Sequence, residues 1–277
     1  MDAPVPTAAA TESRAGDIFV GGAMRSGTTL VQRILCTDPS ANEALPEVHV
    51  IREFVSLIDQ CQQNAGNLAP VFEGKEDLLG FGSELVDVLL QRIRSRYGSD
   101  DSPLILKNPE LTRRFAFLSE LRPSARFVIV LRDPRDGVVS MRRVIQRAAN
   151  LGVADAADGD SASIGKLAHV FLSYYAPLAD LEFLKHHDRY CVVRFEDLVQ
   201  HPVEIIQRLS FWTGLSLDTA LEEVTSGGDD GSIFGAEFYG KPITAAAVGR
   251  YKTDLSAAEI EQVEKISGFF LERYGYV

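Results

Sequence analysis

Four short apolar runs rich in β-branched residues constrain this chain more than any other feature: "IFVGG" (18–22), "LILK" (104–107), "RFVIVLR" (126–132) and "YCVVRF" (190–195). Runs of this length and composition read as buried strands. Amphipathic helical patterns lie between them, among them "EDLLGFGSELVDVLLQRIRSRYG" and "LTRRFAFLSELRP". Strands alternating with helices build parallel β-α-β units, so the expected fold is α/β, a single domain with a central parallel sheet flanked by helices. Ligands of such sheets collect at the carboxyl ends of the strands.

Two of those ends carry arginine. The first run opens "FVGGAMRSGTTLVQRIL" (19–35), an apolar strand, a glycine-bearing turn and a helical pattern. Glycines at both ends of the turn let backbone N–H groups converge, and the following helix adds its positive end, so the turn is a phosphate cradle. Nucleotide hydrolases place lysine after the second glycine, whereas Thr28 stands there in this chain and Arg25 supplies charge from inside the loop. The third run gives "RFVIVLRDPRDGVVSMRR": Arg132 ends the strand, Asp133 is the expected N-cap, Pro134 the first helical residue, and Ser140 lies on the helix. Two arginine-bearing strand-to-helix junctions in one sheet point to two phosphate sites within one ligand.

Composition sets the outer limits. A chain of 277 residues with 45% apolar content can build one sizeable core. The net charge of −11 repels polyanions, so no nucleic-acid partner and no acidic-membrane partner are expected, while arginines converging in a cleft still permit a small anionic ligand. Cys36, Cys61 and Cys191 are too few and too scattered for a disulfide framework or a zinc site, and no metal is expected. The segment "MDAPVPTAAATESRAGD" lacks the pattern of a secretory signal, so residues 1–16 are expected to be a disordered lead-in and residues 17–277 the domain. No run of eighteen apolar residues occurs, and a cytoplasmic location is expected. "NLGVADAADGDSASIG" (150–165) reads as a mobile loop or lid, and "SGGDDGSIFGAEFYGKPITAAAVG" (226–249) as a covering segment bearing Phe234, Phe238 and Tyr239. Ser256 and Glu259 form a capping-box pattern before the last helix.

The pairing of "RSGTTL" with "LRDPRDGVVS", followed by "VRFEDLVQHPVEIIQRLSFWTGL" and a late "VGRYK", resembles the sulfotransferases that use 3′-phosphoadenosine 5′-phosphosulfate (PAPS). The resemblance runs from about Asp17 to the C-terminus and implies a P-loop-like nucleotide-binding core with PAPS as sulfuryl donor, 3′-phosphoadenosine 5′-phosphate (PAP) as product, and no metal. It matches Arg25, Ser26, Gly27, Thr28, Thr29 and Leu30 to the loop that holds the 5′-phosphosulfate, and Arg132 and Ser140 to the residues that bind the 3′-phosphate. Gly249, Arg250 and Lys252 match the family's late nucleotide-binding segment, although Tyr251 replaces its tryptophan. The connecting stretch is bland: Asp197 and Pro202 punctuate it, and Leu198, Ile205, Ile206, Leu209 and Phe211 read as core.

Sulfuryl transfer needs a cation at the leaving oxygen and a base for the acceptor's proton. Lys107 ends a strand at the same sheet edge and is similar to the lysine of the tyrosylprotein branch that assists the leaving group. Glu47, in "NEALPEVHVIREF" (42–54), has nearly the spacing from Arg25 of that branch's glutamate base, and His49 is its rival because imidazole titrates in the right range. The acceptor is expected to be a small hydroxylated (or amine) molecule, with a homodimer left open. Two other readings remain: a P-loop-like kinase or nucleotide hydrolase, and a nucleotide-binding protein without catalysis.

Overall fold

The computed structural model describes residues 16–64, 71–98, 102–152, 163–176, 187–226 and 242–277. The four expected strands form one parallel sheet in the order β2-β1-β3-β4: β1 Ile18–Gly22, β2 Ile105–Lys107, β3 Arg126–Leu131 and β4 Tyr190–Arg194. The last three are one residue shorter at one end than the apolar runs. The helices are α1 Thr28–Leu35, α2 His49–Gln63, α3 Lys75–Tyr97, α4 Phe115–Leu121, α5 Pro134–Asn150, α6 Ile164–Ser173, α7 Phe195–Gln200, α8 Pro202–Thr213, α9 Ala220–Ser226, α10 Tyr251–Asp254 and α11 Ala257–Arg273. Among the described residues no helix is long and apolar enough to cross a membrane.

Alternation along the strands sorts side chains into two apolar layers. Phe19, Leu106, Phe127 and Ile129 face a layer built with α2 to α6 and α11. Ile18, Val20, Ile105, Val128, Val130 and Val193 face a second layer built with α1, α7, α8 and α9. In the first layer the rings of Phe19, Phe127 and Tyr190 stack across neighbouring strands, at centroid distances of 5.8 and 4.9 Å. Burying one such side chain contributes about 1.5–3 kcal/mol, which explains why two-sided apolar runs settle in the middle of the fold.

Both edges of the sheet are met by side chains. The Asn42 amide accepts from Ile105 N at 2.7 Å and donates to Ile105 O at 3.2 Å, taking the place of a neighbouring strand beside β2. On the far edge Arg208 Nη2 donates to Val192 O of β4 at 3.1 Å. Asn42→Ala leaves two buried backbone groups of Ile105 unpaired and is expected to lower the unfolding free energy by roughly 2–4 kcal/mol. Urea denaturation measures this, and an unchanged midpoint would contradict it.

Three local differences from the sequence reading have physical causes. "LTRRFAFLSELRP" is not one helix. The Asn108 side chain accepts from Leu111 N at 3.2 Å and winds Pro109–Arg114 into a tighter 3-10 turn before α4. Phe211, read as core, is 76% exposed, because it falls on the outer face of α8 while Ile205, Ile206 and Leu209 fill the inner one. The 150–165 segment is narrower than a loop of that span: α5 runs to Asn150 and α6 begins at Ile164. Residues 153–162, residues 1–15, and Phe234, Phe238 and Tyr239 lie outside the described residues.

Candidate active site

The carboxyl ends of β1 and β3 lie side by side because Gly22 is the register partner of Val130. Gly22 has φ 137°, and a Cβ on it would lie 2.4 Å from Val130 O. Only glycine fits the bend that starts the loop. The loop ends at Gly27 (φ 101°), the N-cap of α1, where a Cβ would meet the Phe195 ring at 2.5 Å. No side chain caps α1, so its N-terminus brings a positive end and backbone donors to the sheet edge.

Arg25 sits in the middle of this loop with φ 70°, a conformation that costs a non-glycine residue about 1–2 kcal/mol. Its carbonyl accepts from Arg132 Nη1 at 2.7 Å, and its own Nε donates to Ser140 Oγ at 3.3 Å. The two arginine-bearing junctions are therefore in direct contact. Arg132 is almost fully buried: its Nη2 donates to Ala247 O at 2.9 Å, and its guanidinium lies 4.5 Å from the Phe195 ring centroid. Burial pulls its pKa below the ordinary value, while Asp136, Glu196 and Asp133 push it back up. The guanidinium stays charged at neutral pH.

Asp133 caps α5 as expected, its Oδ1 accepting from Arg135 N at 2.9 Å, with Pro134 in the first turn. One turn into the helix, the Asp136 carboxylate accepts from Gly249 N at 2.6 Å and Tyr251 N at 2.9 Å. Burial raises its pKa against those two hydrogen bonds and the Arg132 charge. Asp136 thus pins the late "VGRYK" segment against α5, which explains how Arg250 reaches the same site as Arg25.

These elements enclose a cleft of about 160 Å³. Among the described residues its walls hold six arginines (Arg25, Arg33, Arg132, Arg143, Arg147 and Arg250) and one carboxylate, Asp136, with Arg143 Nη2 ion-paired to Asp254 Oδ2 at 2.6 Å. A chain of net charge −11 has thus concentrated positive charge in one concavity, where low-dielectric walls focus the field. Gly27, Thr28, Thr29, Leu30 and Ser140 line the same cleft. Ser26 is buried beside it without lining it, its backbone N–H closing the turn onto Ala23 O at 3.1 Å. Gly249 stands behind the wall on Asp136, and Lys252 is exposed, 5.8 Å from the Tyr251 ring centroid.

Lys107 and Glu47 meet. Lys107 Nζ is 2.8 Å from Glu47 Oε1 and 3.4 Å from Thr29 Oγ1, so one ammonium spans from the carboxylate to a residue of the cleft wall. The loop carrying Glu47 is fixed at two points before it, by Asn42 on β2 and by Gln32 Nε2 donating to Leu45 O at 3.0 Å. His49 begins α2, is exposed, and makes no side-chain hydrogen bond or ion pair among the described residues. Arg33, Arg143, Arg147 and Asp136 were not singled out by the sequence reading. The signal was spacing: Arg33 lies four positions after Thr29, and Arg143 and Arg147 lie three and seven after Ser140, which places them on the same helix faces.

A family model described as "Sulfotransferase family" matches residues 17–219. Protein-tyrosine sulfotransferase 1 of Homo sapiens is 30% identical over 128 residues, 45% of this chain and 33% of that protein. The Danio rerio protein of the same name is 25% identical over 196 residues, 69% of this chain and 51% of its own. The chain therefore spans about a third to a half of the length of these curated relatives. Among solved structures, the sulfotransferase domain from the Synechococcus PCC 7002 olefin synthase matches with a TM-score of 0.55 at 17% identity, over 93% of this chain and 96% of that one. That likeness concerns the fold.

Proposed function

We propose that this chain, which belongs to the sulfotransferase family, moves a sulfuryl group from PAPS to a hydroxyl or amine of a small-molecule acceptor. The observation that carries the reading is the contact between the two junctions. Arg25 and Arg132 share one cleft, with Lys107 and Glu47 adjoining it through Thr29. A donor with anionic groups at both ends fits this set of residues: among the described lining residues arginines outnumber carboxylates, and an α-helix N-terminus without a side-chain cap opens onto the loop.

In this reading Arg25 and the residues from Gly27 to Leu30 hold the 5′ end, and Arg132, Ser140 and Arg250 hold the 3′-phosphate. When bound, PAPS supplies an activated sulfuryl group on a phosphate leaving group. Lys107 provides the positive charge at the Thr29 side of the cleft, where negative charge grows as the bond to sulfur breaks. Glu47 takes the acceptor's proton. Its Oε1 is engaged by Lys107, so Oε2 is the oxygen that receives it. Cationic side chains fill the place that magnesium and a P-loop lysine hold in nucleotide hydrolases. Turnover is accordingly expected to be unchanged by EDTA, and a requirement for magnesium would favour the kinase or hydrolase reading.

A second acceptor class has an observation in its favour: the curated relatives are named for protein tyrosine. The test is incubation with labelled PAPS and two panels, small hydroxylated molecules and tyrosine peptides, read by mass shift. Transfer to the first panel supports the proposal, transfer confined to peptides replaces its acceptor, and binding of PAP without transfer to any acceptor points to a non-catalytic nucleotide-binding protein.

A further inference from the structure

Tyr175, just beyond the end of α6, reaches the point where the two junctions meet. Its hydroxyl donates to Val130 O at 2.8 Å and accepts from Ala23 N at 3.1 Å. Val130 is two residues before Arg132, and Ala23 is two residues before Arg25. One phenol thus joins the backbones that lead into both arginines, in addition to the direct Arg132–Arg25 contact. The carbonyl it holds is the same Val130 O that leaves no room for a Cβ on Gly22. The ring is fixed in its turn by Phe171 and Phe270, at centroid distances of 5.6 and 5.0 Å. Burial pushes the phenol's pKa well up, so the hydroxyl keeps the proton it donates.

We infer that Tyr175 is a positioning residue for the nucleotide, a cross-tie that sets the separation of the two arginine junctions without touching the ligand. The inference rests on the reading in which Arg25 and Arg132 grip opposite ends of one nucleotide. A ligand held at two points gains from the second contact only as far as the two grips are held at the ligand's own spacing. Removing the tie lets the junctions drift apart, which penalises a ligand spanning both and spares one that uses a single grip. A phenol that only supported the loop would weaken every ligand alike.

The experiment is Tyr175→Phe in the full chain, with Kd measured by calorimetry or competition for PAP, for adenosine 5′-monophosphate and for adenosine 3′-monophosphate. PAP is expected to lose about tenfold in affinity, and the two monophosphates less than about twofold. Equal losses for all three ligands, or no loss for PAP, overturn the inference. Failure of the unsubstituted chain to bind PAP would instead overturn the reading on which it rests. Should the phenylalanine variant not fold, hydrogen exchange on the unsubstituted chain decides. The Ala23 amide is expected to be protected before nucleotide is added, and protection appearing only with nucleotide overturns the tie.

Discussion

Glu47→Gln lowers kcat by an expected factor of about 10²–10⁴ while the Kd for PAP moves less than about twofold. The amide has the shape of the carboxylate and can still accept from Lys107 at the 2.8 Å position, so the loop pinned by Asn42 and Gln32 stays in place. It cannot take up a proton. Single-turnover transfer to a good acceptor separates the chemical step from product release, and calorimetry with PAP measures binding. Activity retained in full would remove Glu47 as the base. His49, two residues on, would then be the group to replace next.

Arg132→Ala is the companion experiment on binding. The substitution removes a buried guanidinium from Arg25 O, Ala247 O and the Phe195 ring. If that guanidinium also meets the 3′-phosphate, PAP affinity falls by about 10²-fold, equivalent to roughly 2.7 kcal/mol, the range of a charge-assisted contact in a dry site. Adenosine 5′-monophosphate, which lacks the 3′-phosphate, loses only a few-fold, about what the loosened Arg25 loop alone would cause. The ratio of the two losses is the readout, and equal losses would refute the assignment. Arg132→Lys serves where alanine leaves Asp136 and Glu196 without their buried countercharge. It keeps the charge and gives up the planar fork.

The sheet could be read from the sequence because burial on both faces writes continuous apolar runs, and each run lies within one residue of its strand. The Asp133–Pro134 start of α5 and the Ser256–Glu259 capping box, which is formed in full, were legible because caps are local chemistry. What escaped depends on pairs distant along the chain. Asn42 on Ile105, Asp136 under Gly249 and Tyr251, and Tyr175 between Val130 and Ala23 are partnerships across 63, 113, 115, 45 and 152 positions. Nothing in the neighbouring residues announces them. Phe211 was misread for a related reason, since helical periodicity identifies a hydrophobic face but not each residue's place relative to its rim.

The candidate site shows the same division. Arg25 and Arg132 stood out because each sits at a strand-to-helix junction, whereas the chain alone could not say that one would hold the other's carbonyl. The sequence assigns Glu47 and Lys107 separate tasks, and the fold places them 2.8 Å apart. Arg33, Arg143 and Arg147 look like ordinary solvated helix residues until the cleft they line is known.

The side chains that finish the sheet at Ile105 and Val192 have a bearing on how the protein behaves when crowded. A parallel sheet whose outermost strands offered bare backbone would recruit strands from other copies and polymerise. Asn42 takes up both hydrogen-bonding groups of Ile105, and Arg208 occupies the Val192 carbonyl, so growth is blocked at those points and a charge guards one of them. Loss of either plug is therefore expected to show as fibril-prone material under concentrated conditions before any change in nucleotide affinity is seen.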